Sequence, residues 1–341
     1  MILKSETFMS AYSLTPRNTF LTTIIFFLLL LVASLISLSI GSVAIPFKEV
    51  ITFLAGGIVS EENRTILLSI RLPRILLAII VGGGLSVAGV VFQALLRNPL
   101  AEPFILGVSS GGTLGAVIAI TFGIGLSIVT IPAFAFIGSL IVMFVVYSVS
   151  ERYGRLEPTT LLLVGIMTGA FFNAMILLMI ALKHQEAHGA LLWLMGNLAS
   201  AELNSLLIVA PFVLATVVVI FLYSRNYNLI AIGEETAANL GLEVEKFKRI
   251  SYLLASLITG LVVSVSGVIG FVGLLVPHIC RMMFGSDHRL VVPVSFFMGA
   301  IFLVAVDMIA RTIISPAEIP VGAVTAVVGA PLFVWMLRRS A

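Results

Sequence analysis

The sequence predicts an all-α membrane protein with about ten transmembrane helices. Three observations carry this prediction: 60% of the residues are apolar, 10% are charged, and the mean hydropathy is +1.19. Soluble domains carry about 25% charged residues. One helix needs about 20 apolar residues to cross the hydrocarbon. We therefore place spans at 19–42, 70–96, 103–125, 128–150, 159–182, 203–224, 250–269, 271–285, 290–312 and 319–337.

The first span is expected to remain attached, because it is too long for a cleaved signal peptide and follows no basic run. The chain is predicted to form a cytoplasmic N-terminal segment, residues 1–18, and one polytopic domain, residues 19–341. Thirteen of the 19 lysines and arginines fall on the side of both termini and of the 225–249 loop. Since basic residues stay inside, these parts are predicted to be cytoplasmic.

The second span is predicted to be central in the helix bundle. Its small residues let neighbouring helices approach closely; they are Gly82, Gly83, Gly84, Ser86, Ala88 and Gly89. Residues 97–103, RNPLAEP, then break the helix at the cytoplasmic edge. Irregular backbone at that depth is tolerated where protein buries it or where it lines an aqueous path. Asn98 and Leu100 are therefore candidates for an inner gate, and a tight structural turn is the alternative.

An internal repeat is predicted at an offset of 178 residues. The matched pairs are 86–90 with 264–268, Pro99 with Pro277, and Gly107 with Gly285. Because five spans separate the copies, they are expected to cross in opposite directions, as in inverted-repeat transporters. Chance similarity within an apolar sequence is the alternative.

The long polar stretch at 225–249 is predicted to bind a cytoplasmic partner. Residues 233–241 are typical of a short helix, with acids in the first turn and Gly241 as a left-handed cap. A second short helix, 243–249, leads into the next span. Small apolar side chains are expected to be exposed among the charges and to suit a groove on another protein: Ile232, Ala237, Leu240 and Leu242. A solvated connector is the alternative.

Asp307 and Arg311 lie one helical turn apart near the outer end of the ninth span and can pair along one face. Charges at membrane depth are costly and usually functional. Asp307 therefore supports an alternative function, an ion-coupled secondary transporter. The other alternative is that Asp307 and Arg311 form an ion pair with a structural role only. Few other acids lie inside spans, which disfavours a proton relay.

Several chemistries are excluded by what the sequence lacks. There is no G-x-x-x-x-G-K-[ST] motif, so the chain is not an ATPase, and no nucleophile with a nearby base indicates an enzyme. The single cysteine, Cys280, rules out an intrachain disulfide. His184 and His188 lack a third ligand, so no metal site is predicted, and contact of either histidine with substrate stays open. The net charge of +3 indicates orientation and not nucleic-acid binding.

Eight segments, in order from about residue 64 to 338, resemble the FecCD-type permeases, the membrane subunits of ABC importers for iron-siderophores, haem and vitamin B12. They are RLPR at 71–74, GGGLSVAGVVFQALLRNPLAEPFILG at 82–107, WLMGNL at 193–198, GEETAANLGL at 233–242, GFVGLLVPHICR at 270–281, DHR at 287–289, DMIAR at 307–311 and EIPVGAVTAVVGAPLF at 318–333. The N-terminus and the outer connectors do not match.

The resemblance implies a type II ABC importer permease in the cell inner membrane, forming a homodimer around a central path. It implies two cytoplasmic ATPase subunits that use ATP and Mg, a periplasmic binding protein that delivers a metal chelate, and no cofactor on this chain. It does not separate siderophore, haem and cobalamin.

The resemblance also implies three groups of site residues. Coupling to the ATPase is expected at Gly233, Glu234, Ala237, Leu240, Gly241 and Leu242. The gate is expected at Asn98, Pro99, Leu100 and Thr159. Docking of the binding protein is expected at Arg71 and Arg311, whose position at the outer ends of their spans runs against the inside preference of basic residues.

Overall fold

The structure, a computed structural model, describes residues 15–124, 129–182, 187–199, 201–315 and 317–340. Its α-helices are α1 (Pro16–Ser39), α2 (Phe47–Leu54), α3 (Glu61–Thr65), α4 (Leu72–Leu95), α5 (Val108–Thr121), α6 (Thr130–Ser150), α7 (Pro158–Leu182), α8 (Ala187–Leu194), α9 (Leu203–Leu222), α10 (Ser224–Ile232), α11 (Glu234–Asn239), α12 (Val244–Ser266), α13 (Val272–Phe284), α14 (His288–Thr312) and α15 (Val321–Ser340). A π-helix, Ile66–Arg71, joins α3 to α4, and a 3-10 helix, Pro103–Leu106, precedes α5. Two short antiparallel strands, β1 (Glu151–Arg152) and β2 (Arg155–Leu156), form a hairpin between α6 and α7.

Each of the ten predicted spans coincides with a helix. Among the described residues, seven helices are long and apolar enough to cross a membrane: α1, the continuous unit 61–95, α6, α7, α9, α12 and α14. The remaining three spans correspond to the shorter apolar helices α5, α13 and α15. The separate short helix predicted at 243–249 is wrong. These residues form the first turns of α12, because no proline or glycine interrupts the chain between 244 and 259.

The predicted central position of α4 is confirmed by its burial, which extends over nearly the whole helix. Its glycines touch the backbone of neighbouring helices. A Cβ atom at Gly89 would lie 1.9 Å from the carbonyl oxygen of Gly273 in α13, and one at Gly82 would lie 2.3 Å from that of Gly299 in α14. Small residues thus allow α4 to be packed between the short helix α13 and the long helix α14.

The paired segments of the predicted repeat differ in local structure. Residues 86–90 lie inside α4, whereas 264–268 cross the end of α12, where Gly267 has a φ of +67°. Pro99 lies in the turn after α4, and Pro277 lies inside α13. The 178-residue register therefore pairs unlike local structures at these two places, whereas Gly107 and Gly285 both have a positive φ, of +75° and +82°. The inverted repeat stays a prediction.

Two breaks in the helices are held together by hydrogen bonds. The turn at 97–102 contains Glu102, whose carboxylate accepts from the backbone N–H of Phe271 in the break at 267–271. Phe271 has a left-handed φ of +69°. The Nε2 group of Gln93 donates to the carbonyl oxygens of Ala101 at 3.1 Å and Leu274 at 3.2 Å. The end of this turn, at Ala101 and Glu102, is therefore packed against protein, whereas Arg97, Pro99 and Leu100 are exposed.

Candidate functional site

The short helix predicted at 233–241 is confirmed as α11, bounded by two glycines. Gly233 has a φ of +145° and Gly241 a φ of +88°, so both occupy backbone conformations that favour glycine. Glu234 and Glu235 lie in the first turn, where a carboxylate complements the helix dipole. Together α10 and α11 project a compact unit from the face of the bundle that also carries the turn at 97–102 and the hairpin. We call this side the loop face.

Two of the four apolar side chains predicted to be exposed on this loop are available to a partner. Ile232 is 69% exposed and Leu240 is 63% exposed. Leu242 is partly buried against the core. Ala237 is fully buried, so its prediction as an exposed contact is wrong. The reason is that a helix of six residues must turn one face inward, and Ala237 is the residue through which α11 packs on its own chain.

Glu234 joins α11 to two other elements of the loop face. Its Oε1 lies 3.4 Å from Nη2 of Arg97 in the turn after α4, and its Oε2 lies 3.2 Å from Nζ of Lys248 in α12. Lys248 also lies 3.1 Å from Oε1 of Glu245. The lysine side chain is 5% exposed, whereas the two carboxylate side chains are about one-third exposed. Water therefore competes for the carboxylates and not for the lysine.

The hairpin is connected to the same network. Oε2 of Glu245 accepts from the backbone N–H of Leu156 at 2.8 Å. Arg249 pairs with Glu151 at 2.8 Å and donates to the carbonyl oxygen of Gly154 at 2.9 Å. A cleft of about 870 Å³ separates the hairpin from α11. The base of α12 thus holds α11, the turn and the hairpin through charged groups.

The predicted gate residues lie in two exposed places on this face. Oδ1 of Asn98 accepts from the backbone N–H of Leu100 at 2.9 Å, which closes a tight turn with Pro99 and Leu100 exposed. Thr159 is exposed in the first turn of α7, directly after the hairpin. Within one chain the described contacts do not join Thr159 to Asn98. The gate role of these residues therefore stays a prediction.

Arg71 and Arg311, the two residues predicted to dock the binding protein, are buried within the single chain, with 3% and 4% of their surface exposed. Their docking role stays a prediction. Arg71 donates to the carbonyl oxygens of Leu38 and Val43. Arg311 donates to Oγ of Ser37 at 2.7 Å. These groups lie at or just beyond the end of α1, where carbonyls lack helical partners and a cation is favoured. The end of α1 thus provides partners for both arginines within the chain.

Asp307 belongs to a buried network on the same side. Nε of Arg74 lies 2.7 Å from its Oδ1, and Nη1 of Arg74 lies 2.7 Å from Oε2 of Glu318. Nε of Arg311 lies 3.2 Å from Oδ2 of Asp307, without hydrogen-bond alignment. The predicted pairing of Asp307 with Arg311 is thus confirmed, and Asp307 is held by two cations. The carboxylate of Asp307 is therefore already paired within the chain.

Sequence reasoning missed Arg74, Arg97, Lys248 and the hairpin. Arg74 stands inside an apolar span, which was the available signal for a buried partner. Lys248 and Glu245 are three residues apart, which was the signal for a pair on one helix face. The contacts of Arg97 and Arg249 join residues more than ninety positions apart and left no local signal.

The prediction for metal ligands concerns residues that are only partly described. His184 lies outside the described residues, and the side chain of His188 is not described either. Among the residues that are described, no group of three His, Cys, Asp or Glu lies close enough to hold a metal ion.

The chain is similar to known transport proteins along nearly its whole length. The FecCD transport family model matches residues 29–339. The cobalamin import system permease protein of Halobacterium salinarum is 41% identical over 82% of this chain and 75% of its own length. The hemin transport system permease protein of Yersinia pestis is 38% identical over 92% of this chain and 93% of its own. A solved structure, described as an inward-facing conformation of a metal-chelate type ABC transporter, covers 95% of this chain and 100% of its own, with a TM-score of 0.84 and 30% identity.

Proposed function

The chain belongs to the FecCD transport family and is an ABC importer permease, and we propose that it carries a metal chelate as half of a homodimer. The chelate is an iron-siderophore, haem or cobalamin, delivered by a periplasmic binding protein. Two ATPase subunits, which bind ATP and Mg, drive the transport from the loop face. Both termini lie in the cytoplasm with that face, in the orientation that the basic residues favour.

The observation that carries this proposal is the link from α11 to the turn after α4. Exposed Ile232 and Leu240 flank α11 and form its apolar contacts for the ATPase. Glu234, in the first turn of α11, touches Arg97 in the turn that carries the predicted gate residues. A displacement of α11 by the ATPase therefore reaches that turn through a single ion pair.

The base of α12 provides the second route. Lys248 holds Glu234 of α11 and Glu245, and Glu245 holds the hairpin at Leu156. The hairpin leads directly into α7 and its exposed Thr159. Movement of α11 thus reaches both predicted gate segments, the turn at 97–102 and the start of α7. In a homodimer these segments face their symmetry mates across the path.

Replacing Leu240 tests the ATPase contact. We expect Leu240→Asp to abolish co-purification with the ATPase, and with it substrate uptake in vesicles, because a charge replaces an apolar contact. Since Leu240 is mostly exposed, thermal unfolding of the chain in detergent stays unchanged. The matched control is Ile58→Asp, at a fully solvated side chain, 99% exposed, in the loop between α2 and α3. Normal ATPase retention by Leu240→Asp would contradict the proposed contact.

The substrate class is tested separately with the binding protein. We expect that protein, purified from cells grown with the three chelates, to retain one of them, and to deliver the same one to vesicles that contain this chain. Uptake that proceeds without the ATPase, driven by an ion gradient alone, would overturn the importer assignment.

A further inference from the structure

A small cavity opens on the loop face between the turn at 97–102, α10 and the connection from α13 to α14. Its volume is about 270 Å³, several times the roughly 30 Å³ that one water molecule occupies in the liquid. The polar lining groups come from Gln93, Arg97, Asn98, Arg281, Ser286 and His288. None of the lining residues is an aspartate or a glutamate.

Arg281 is the unusual member of this lining. Its Nη2 atom is buried and has no hydrogen-bond partner, and the guanidinium forms no ion pair with a described residue. Among the described basic side chains that are more deeply buried, Arg74, Arg311 and Lys248 each have a carboxylate within 3.2 Å, and Arg71 donates to two backbone carbonyl oxygens. Arg281 is partly buried, and a guanidinium that is partly removed from water without a partner is unfavourable. The folded chain would therefore gain stability from an anion placed beside Arg281.

The remaining lining groups suit the same kind of ligand. Arg97 adds a second positive charge to the lining, although its Nη2 atom also lies 3.4 Å from Oε1 of Glu234. Asn98 uses its Oδ1 for Leu100, which leaves its Nδ2 group to donate elsewhere. Nδ1 of His288 is already engaged with Asn228 at 2.8 Å. Two guanidinium groups and an amide donor form a set that recognises oxygen anions, since arginine can bind two oxygens at once.

We propose that this cavity is a binding site for an oxyanion of the phosphate or carboxylate type, held by Arg281 with Arg97 and Asn98. A bound anion connects α13 to the turn at 97–102 and so fixes the turn that carries the predicted gate residues. The anion comes from one of two sources, free phosphate or a carboxylate side chain of a partner subunit. The proposal depends on the cavity and its charges and not on the transported substrate.

Thermal unfolding of the purified full-length chain in detergent tests the site, with sodium phosphate as the probe and sodium chloride at equal ionic strength as the reference. We expect phosphate to stabilise the wild type in a saturable way. Arg281→Gln should weaken the apparent affinity at least about tenfold, because it removes a charge-assisted pair of hydrogen bonds. Arg155→Gln, at an exposed arginine of β2 outside the cavity, should bind phosphate as the wild type does.

A second variant keeps the test decisive if Arg281→Gln does not fold. Arg97→Gln changes a side chain that is 46% exposed, so it should fold normally and lose affinity several-fold. Repeating the wild-type titration in the assembled complex identifies the source. The phosphate effect disappears there if a partner carboxylate fills the cavity, and it persists if the ligand is free phosphate. The proposal would be overturned if phosphate had no saturable effect on the isolated wild type. It would also be overturned if Arg97→Gln and Arg281→Gln bound phosphate as tightly as the wild type does.

Discussion

The two ends of α4 carry ion-pair networks of different kinds. Near its first turn, Arg74 and Asp307 are 3% and 1% exposed and lie 2.7 Å apart. Beyond its last turn, Arg97 and Glu234 are 46% and 33% exposed and lie 3.4 Å apart. The helix between them has 24 residues, which at 1.5 Å per residue separate the networks by about 35 Å. We call them the outer network and the loop-face network.

The two networks differ in how much free energy it costs to rearrange them. The outer network joins α4 to α14, the end of α1 and the segment before α15, and removing one partner would leave a charge buried in a nonpolar surrounding. The loop-face network joins α11, the turn and the hairpin to α12, and water reaches its carboxylates. Pairs of that kind exchange partners at little cost. The outer network is therefore expected to resist rearrangement more than the loop-face network does.

The largest effect is expected in the outer network. Asp307→Asn removes the carboxylate that Arg74 and Arg311 share, and we expect it to destabilise the folded chain by about 3 to 5 kcal/mol, the cost of breaking a buried ion pair. Thermal unfolding in detergent measures this loss. The matched control is Glu318→Gln, because Glu318 is 35% exposed and, among the described residues, forms an ion pair with Arg74 only. We expect a loss below about 1 kcal/mol. Similar losses in both variants would contradict the inference that burial makes the Asp307 ion pairs costly to break.

An intermediate effect is expected at Glu102, whose carboxyl group connects the turn on the loop face to Phe271. Burial raises the pKa of its carboxyl from 4.5 to about 7, against the opposing effect of the Phe271 N–H. Between these values the folded chain binds a proton that the unfolded chain has released. Its stability therefore falls as the pH rises from about 4.5 to 7 and is fully retained below that window, a change of at most about 3 kcal/mol.

Glu102→Gln should flatten this pH dependence, since the amide keeps an acceptor for the Phe271 N–H without a charge. Unfolding midpoints measured at pH 5 and pH 8 give the slope for each variant. Glu243→Gln serves as the control, because Glu243 is 74% exposed and should leave the slope unchanged. Equal slopes in the wild type and in Glu102→Gln would contradict the raised pKa of the Glu102 carboxyl group.

The smallest effect on stability is expected in the loop-face network, where function should respond more than folding. Lys248→Met should cost about 1 to 2 kcal/mol, because the two carboxylates it leaves can be hydrated. We expect the same variant to uncouple ATP hydrolysis from uptake in vesicles. Lys246→Met changes a neighbouring pair whose members are 66% and 74% exposed, and should alter stability by less than about 0.5 kcal/mol. Normal coupling in Lys248→Met would remove this lysine from the proposed route.

The sequence is sufficient to predict those features that depend on neighbouring residues or on the summed hydropathy of a segment. The ten apolar segments, the break after α4, the central position of its glycines and the left-handed Gly241 all follow from hydropathy, residue size and backbone preference, and the structure confirms each. The pairing of Asp307 with Arg311 was also predictable, because it needs only the spacing of one helical turn. The order and spacing of eight sequence motifs also indicate the family.

Only the tertiary structure determined which charges face a partner and which face the protein itself. Arg71 and Arg311 are predicted to lie at the surface, but in the structure both donate hydrogen bonds to the end of α1. The partner residues are 33 and 274 positions away along the chain. Ala237 was expected outside and lies inside, while Arg281 was left without a carboxylate. The physical reason is that the electrostatic energy of a charge depends on its distance from every other charge and on access to water. Both are set by which helices pack together, and the spacing of residues along one chain does not contain that information.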